Sequence, residues 1–196
     1  HINRSDSSRQ GLFGTVNSTG QVLNLGLVDV NITGRIIVGG IAGRNEGLIQ
    51  NCFVNGTIKG GASVGGLSGG MYSGGSISYS YSSADIQHVN LGLAEAEGHY
   101  FGGLVGYMTS SSISKSFASG DITALERVGG LVGENQYGEI TDSYALGDVH
   151  GSGTFGRVGG LVGWNRYASA EVIDSFSIGS VTGSTALGGL IGDNSG

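Results

Sequence analysis

The stretch VGGLVGEN runs from Val128 to Asn135, and thirty residues later the chain reads VGGLVGWN, from Val158 to Asn165. Three of the eight residues are glycine in both copies. The paired glycine also recurs at Gly39-Gly40, Gly65-Gly66, Gly102-Gly103, Gly129-Gly130, Gly159-Gly160 and Gly188-Gly189, with successive gaps of 26, 37, 27, 30 and 29 residues. A degenerate copy, GLFG at Gly11–Gly14, aligns with Gly40-Ile41-Ala42-Gly43. Self-similarity at a period of 20–50 residues is the mark of a solenoid, propeller or array.

Three blocks keep their internal spacing through the repeats. The first is an apolar residue followed by Gly-Gly-Leu/Ile-x-Gly, led by Val38, Val64, Phe101, Val128, Val158 and Leu187. The second is Ile-x-x-Ser-aromatic. Its first column is Ile49, Ile77, Ile113, Ile140 and Val172, and its aromatic column is Phe53, Tyr81, Phe117, Tyr144 and Phe176. The third is one apolar residue five positions later: Ile58, Ile86, Ile122, Val149 and Val181. Length varies only between blocks, most of all after Ile86, where an insertion spans residues 88–100. Short β-branched and aromatic runs punctuated by Gly, Ser and Asn indicate strands. No segment sustains the 3.6-residue apolar period of a helix.

A period of 26–30 residues is too short for a propeller blade, and the leucine-rich repeat signature is missing. We therefore expect an all-β fold: a β-solenoid, parallel β-helix-like, of six to seven coils in one domain over residues 1–196. At roughly 4.8 Å per rung the stack is about 30 Å long. Like residues then lie above like residues, so the Val, Leu, Ile and aromatic columns are expected to form a continuous core. A strand glycine costs about 0.5–1 kcal/mol against alanine. Its recurrence implies a place where a side chain would be worse, and we expect close backbone approach at each glycine pair and a turn at the third glycine. Alternation from Ile140 to Tyr144 would also bury Asp142, which is untenable for an unpartnered charge. A corner between Ile140 and Ser143 resolves the conflict.

Composition narrows the functional classes. The chain has 196 residues, with 41 Gly, no Pro, 38% hydrophobic and 12% charged residues, and a formal charge of −6. Such a chain buries a core and does not resemble a disordered or collagen-like polymer. Without a basic cluster, nucleic acid is not the expected partner. No apolar run approaches the 18 or so residues that span a bilayer, so membrane insertion is not expected either. Cys52 is the sole cysteine, which excludes an internal disulfide. The chain begins at His1, as expected of a processed or excised piece of a longer protein with flanking domains.

The segment VGGLVGENQYGEITDSYALGDV, Val128–Val149, resembles the GLUG motif, named for its Gly-Leu-x-Gly core. The resemblance extends through GGIAG, GGLSG, GGLVG and GGLIG over nearly the whole chain. The third coil departs from the pattern at GGMYSGG. The resemblance implies a large secreted or surface-anchored bacterial protein, adhesin-like, or the non-catalytic part of an IgA-cleaving metallopeptidase. The functional expectation is thus a non-catalytic extracellular stalk or adhesion segment that meets a glycan or a host or matrix protein. The alternatives are an accessory region of a secreted peptidase and a carbohydrate-binding or polysaccharide-active β-helix.

Several constellations bear on that choice. GLSGG at Gly66–Gly70 matches the hydrolase elbow G-x-S-x-G, but Ser68 occupies the column of Ala42, Val105, Val132 and Val162, with no strand-turn-helix context. GSGTFG at Gly151–Gly156 matches G-x-G-x-x-G, yet no helix follows, which makes it a lengthened turn. His88 and His99 share the insertion with Glu95 and Glu97, a zinc-like grouping that reads more simply as a solvated loop. Asp85, Asp121 and Asp148 form one column; stacked like charges repel unless solvated or bridged, which raises a weak Ca²⁺ site as one reading. No other cofactor is expected. Asn45, Asn135, Asn165 and Asn194 form a column suited to an amide ladder. Tyr107 and Trp164 share a column beside the first turn, and Tyr137 and Tyr167 share another three residues on. These four rings are the candidate ligand contacts, because amphipathic rings stack on sugar faces.

Overall fold

A computed structural model describes residues 1–92 and 99–195. Among them the chain is all β, and every strand pairing is parallel. Three sheets run the length of the molecule. The first has 14 strands, among them Gly26–Gly39, Phe53–Gly65 and Tyr81–His88. The second has seven rungs, from Phe13–Val16 through Ala42–Asn45, Ser68–Met71, Val105–Thr109, Val132–Gln136 and Val162–Arg166 to Ile191–Asn194. The third has six, from Gln21–Leu23 to Glu171–Ile173. Each coil visits the three sheets in turn, so the fold is a β-solenoid of about seven turns.

The register joins like to like. Ile49, Ile77, Ile113, Ile140 and Val172 pair in series, as do Ile58, Ile86, Ile122, Val149 and Val181. Val38, Val64, Phe101, Val128, Val158 and Leu187 form a third series. Ile41, Leu67, Leu104, Leu131 and Leu161, from the Gly-Gly-Leu block, are wholly buried. These columns fill the coil lumen. A parallel ladder ties the backbone to the coil above and below, so the interior needs no polar groups of its own.

Left-handed residues turn the coil. Asn24, Asn51, Tyr79, Lys115, Asp142 and Asp174 all have φ between 47° and 55°. This is the corner expected between Ile140 and Ser143, and it directs Asp142 outward. It also reverses the alternation beyond it. The next residue faces inward, and Ser80, Ser116 and Ser143 are buried there, with Cys52 in the same place one coil earlier. Each serine donates to the carbonyl two residues back, as Ser116 Oγ does to Ser114 O at 2.7 Å. Each also accepts the backbone N–H of the preceding coil: Cys52 to Ser80 at 3.0 Å, Ser80 to Ser116 at 3.1 Å, Ser116 to Ser143 at 3.2 Å. The hydroxyl thus replaces the carbonyl that the corner has swung away.

The aromatic column is correspondingly not in the core, as expected from sequence, but on the outer surface. Phe53, Tyr81, Phe117, Tyr144 and Phe176 stack with centroids 5.2, 4.9, 4.9 and 5.0 Å apart and planes within 6° of parallel. The corner had consumed one step of alternation, which sends the serine in and the ring out. Contacts of this kind contribute about 0.5–1.5 kcal/mol per pair.

The glycine pairs do mark close approach. A Cβ on Gly40 would lie 2.5 Å from Gly66 O of the next coil and 2.7 Å from Val54 Cγ1 of the facing wall. Gly103, Gly130 and Gly160 meet the same two obstacles, a carbonyl of the following coil and a small side chain opposite: Ala118, Ala145 or Ser177. The third glycine was expected at a turn; it lies within a strand instead. A Cβ on Gly133 would stand 2.6 Å from Phe101 N, and one on Gly163 2.7 Å from Arg127 C. The coil is so thin here that two backbone walls touch. The turn is made by other residues, Ile37, Ser63, Tyr100, Arg127 and Ala186, with φ from 43° to 66°.

Asn135 and Asn165 are buried in the lumen. Asn135 Nδ2 donates to Asn165 Oδ1 and Asn165 Nδ2 to Asn194 Oδ1, both at 2.9 Å, while Met71 and Met108 fill the same column without polar atoms.

Gly130→Ala should lower stability by about 3 kcal/mol or more, at the upper end of overpacking costs. Gly189→Ala, in the same column but with open space around it, should change it by less than about 0.5 kcal/mol. Thermal melts of the two variants followed by circular dichroism check the contrast. Ser116→Ala, which strands the Ser80 N–H, should cost about 1–3 kcal/mol in the same assay.

Candidate functional site

On the second sheet the register alternates between lumen and outside. The outward column begins Thr15, Arg44, Gly70, Tyr107, Glu134, Trp164 and Asp193. Tyr107 and Trp164 therefore do share a column, two rungs apart, with Glu134 between them. Around this column the side chains build a layer outside the sheet thick enough to bury Glu134 completely.

Glu134 is the electrostatic centre of that layer. Its Oε2 lies 3.4 Å from Arg127 Nε and its Oε1 3.6 Å from Arg166 Nη1. Gln136 Nε2 donates to Oε1, and Tyr107 Oη donates to Gln136 Oε1 at 2.9 Å. One carboxylate thus faces two guanidiniums and, through Gln136, one phenol; its Oε2 and Arg127 Nε meet as an ion pair without a hydrogen bond. A buried carboxylate needs this many partners to offset its desolvation. Arg157 pairs separately with Asp193 at 2.7 Å, and Arg44 with Glu46.

Trp164 lies among these cations. Arg157, Arg166 and Arg127 stand 3.9, 4.4 and 5.2 Å from its ring, and its Nε1 donates to Ser195 Oγ at 2.8 Å. Guanidiniums thus pack against an indole that remains partly exposed. Tyr137 and Tyr167 sit at the left-handed corner after the sheet, with φ of 57° and 75°. Their rings are 4.4 Å apart and parallel to within 1°, so each has one face taken by the other. Arg166 lies over Tyr167 at 4.7 Å and links this pair to Trp164. The four rings anticipated from sequence are hence parts of one arginine-aromatic surface.

Sequence reasoning missed two members of it. Tyr72 packs against Tyr107, and so does Tyr100, with centroids 5.6 and 5.5 Å away. Arg44 covers Tyr72 at 4.4 Å and Arg127 covers Tyr100 at 4.7 Å. Neither tyrosine belongs to a repeating column, because Tyr72 lies in the divergent GGMYSGG segment and Tyr100 at the close of the insertion. The only signal was the departure from the pattern itself. Burial holds the Tyr72 phenol above its ordinary pKa, with Arg44 acting in the opposite direction. Burial, reinforced by the charge of Glu134, also raises that of Tyr107.

The aspartate column has a different occupation. Asp121 N donates to Asp85 Oδ1 at 3.3 Å, Asp148 N to Asp121 Oδ1 at 2.9 Å and Ser180 N to Asp148 Oδ1 at 2.8 Å. Each carboxylate thus accepts from the backbone of the next coil, at a bend where the strand ladder lapses. Among the described residues no three His, Cys, Asp or Glu side chains converge to hold a metal ion. His88 packs edge-on to Phe101, and His99 Nε2 lies 3.2 Å from Glu126 Oε2. Glu95 and Glu97 lie outside the described residues. Ser68 is fully buried, with Oγ donating to Gly70 O at 3.0 Å, so it offers no exposed nucleophile.

The fold and this surface define a β-solenoid repeat segment with one elaborated outer face. Residues 34–59, 97–123 and 124–149 each match the GLUG motif, so the chain carries GLUG repeats. A stretch of 64 residues, 33% of the chain, is 39% identical to halomucin of Haloquadratum walsbyi (strain DSM 16790 / HBSQ001). The chain covers 1% of that protein's length. No solved structure matches the chain.

Glu134→Ala should destabilise the protein by about 3 kcal/mol, because it leaves the half-buried Arg127 without its counter-charge and opens the layer packed around the carboxylate. Denaturant unfolding checks this, and a loss below about 1 kcal/mol would mean that the layer is not held by this carboxylate.

Proposed function

We propose that this chain is a non-catalytic GLUG-repeat segment of a surface or secreted protein. Its solenoid serves as a stiff stalk. The arginine-aromatic layer on the second sheet serves as its contact surface for a glycan or a matrix protein. The observation that carries the reading is that layer. A bare spacer needs only stacking columns, yet here Glu134, Arg127, Arg157, Arg166, Trp164, Tyr107 and Tyr167 form a joined surface outside the stack, in a chain with nine Lys and Arg in total. Arg, Tyr and Trp are the residues that dominate contact surfaces.

Similarity of part of the chain to halomucin, by name a mucin, supports a place at the cell exterior. So does the GLUG repeat. A role in catalysis would need acids and bases gathered on one face. The aspartate column lies elsewhere on the coil, and one oxygen of each of its carboxylates already accepts a backbone N–H.

A glycan and matrix-protein binding screen, run with and without EDTA beside a Trp164→Ala/Tyr167→Ala variant, tests the reading. Binding should be lost in the variant and kept in EDTA. Binding to nothing would contradict the contact-surface role and leave spacing alone, and loss in EDTA would return the aspartate column as a calcium site.

A further inference from the structure

Beside the arginine-aromatic layer lies an open groove of about 420 Å³. Ile36, Ile37 and Ala62 give it an apolar floor, and Tyr72, Tyr100 and Tyr107 line it. Its size falls within the 300–1,000 Å³ of small-ligand sites, and an apolar lining with a few placed polar groups is their usual composition. We propose that this groove binds a saccharide ring. The inference rests on reading the second-sheet side of the coil as a contact surface, and adds the chemical class of one ligand and the place where it sits.

The geometry of the rings is the first argument. In the outer ladder every internal ring is stacked on both faces within 6° of parallel, which leaves only edges to a ligand. The three groove tyrosines are arranged otherwise. Tyr72 and Tyr107 are inclined by 43°, and Tyr100 and Tyr107 by 76°. Tilted and edge-to-face contacts leave these rings unstacked, and all three line the groove. Aromatic ring surface of this kind is what the axial C–H groups of a pyranose fit.

Charge supplies the second argument. Arg44 lies over Tyr72 and Arg127 over Tyr100. A guanidinium beside the ring also repels a further cation by its charge. The groove therefore disfavours quaternary ammonium ligands, the other common guests of tyrosine clusters, and favours neutral or acidic ones.

Polar placement is the third. The Tyr107 hydroxyl donates to Gln136, which in turn donates to buried Glu134, so the phenol is fixed in place at the groove. Ser63 and Gln136 also line the groove. Ser63 Oγ already donates to Gly69 O at 3.1 Å, and a hydroxyl that donates in this way keeps lone pairs that sugar hydroxyls can use. The chain order accounts for the groove's place: Tyr72 comes from the divergent third rung and Tyr100 from the end of the insertion, and neither recurs as a column.

The test uses the whole chain. Saturation-transfer NMR and calorimetric titration would be run with neutral oligosaccharides, uronic-acid oligosaccharides and choline. The variants are Tyr72→Ala, Tyr107→Ala and Tyr107→Phe, with Tyr79→Ala, at an exposed corner outside both the groove and the arginine-aromatic surface, as a control. A saccharide should saturate the wild type and transfer from its ring C–H protons. Its Kd should rise at least tenfold in Tyr72→Ala and Tyr107→Ala, only a few-fold in Tyr107→Phe, and not at all in Tyr79→Ala. Tyr107→Phe keeps the ring and guards against a fold defect in the alanine variants. Choline binding in preference to saccharides, equal saccharide binding by Tyr107→Ala, or no saccharide binding at all would overturn the inference. A matrix protein that still binds through Trp164 would then leave the broader reading of the face intact.

Discussion

The hydrogen bond from each rung to the same position of the next is the interaction on which this molecule depends. Gly40 N reaches Gly66 O at 3.0 Å, Gly66 N reaches Gly103 O at 3.1 Å, and Leu104 N reaches Leu131 O at 2.9 Å. Because the ladder is parallel and in register, a residue's principal neighbour is its own counterpart one coil away. That single constraint explains the repetition. A side chain that suits one coil suits all of them, and one that does not has two neighbours to offend. The glycines show it most sharply, since a Cβ at Gly130 would strike the coil that follows as well as the wall opposite.

The columns were legible in the sequence for this reason. All of the lead, isoleucine and third-block columns appear in the observed register residue for residue, and so does the degenerate copy, with Phe13 paired to Ala42 and Val16 to Asn45. The corner at Asp142 was legible too, because a charge cannot be placed in an apolar lumen. What one left-handed residue does to everything beyond it was harder to read. It shifts the alternation by one step, which turns Ser143 inward and Tyr144 outward and converts an expected core column into an external ladder. The third glycine was misread by the same route. Its sequence position suggested a turn, while the reason for it, two backbone walls in contact, depends on the thickness of the coil.

The candidate site was legible only where it followed the repeat. Tyr107 and Trp164 share a column, and Tyr137 and Tyr167 another, so alignment of the coils brought them forward. Tyr72 and Tyr100 obey no column. Their proximity to Tyr107 is a product of the insertion and of the divergent third coil, and no period reveals it. The solenoid thus carries two kinds of information. The regular columns specify the stack, and the departures from them specify what is mounted on it. The carboxylate of Glu134 belongs to the second kind, because its column offers Arg44, Gly70 and Tyr107 in neighbouring coils and only the local cluster accounts for it.

The most direct test of in-register stacking is a distance. Thr33, Lys59, Gln87, Thr123, His150 and Thr182 form one continuous column on the first sheet. Spin labels at Thr33 and Thr182 are therefore five rungs apart, although 149 residues separate them in sequence. The sole native thiol can be removed as Cys52→Ser, which restores the serine of its own column. Double electron-electron resonance should then report a narrow distribution centred at about 24 Å, set by the rung spacing. A broad distribution, or a centre more than about 10 Å away from that value, would contradict the stacked-coil account.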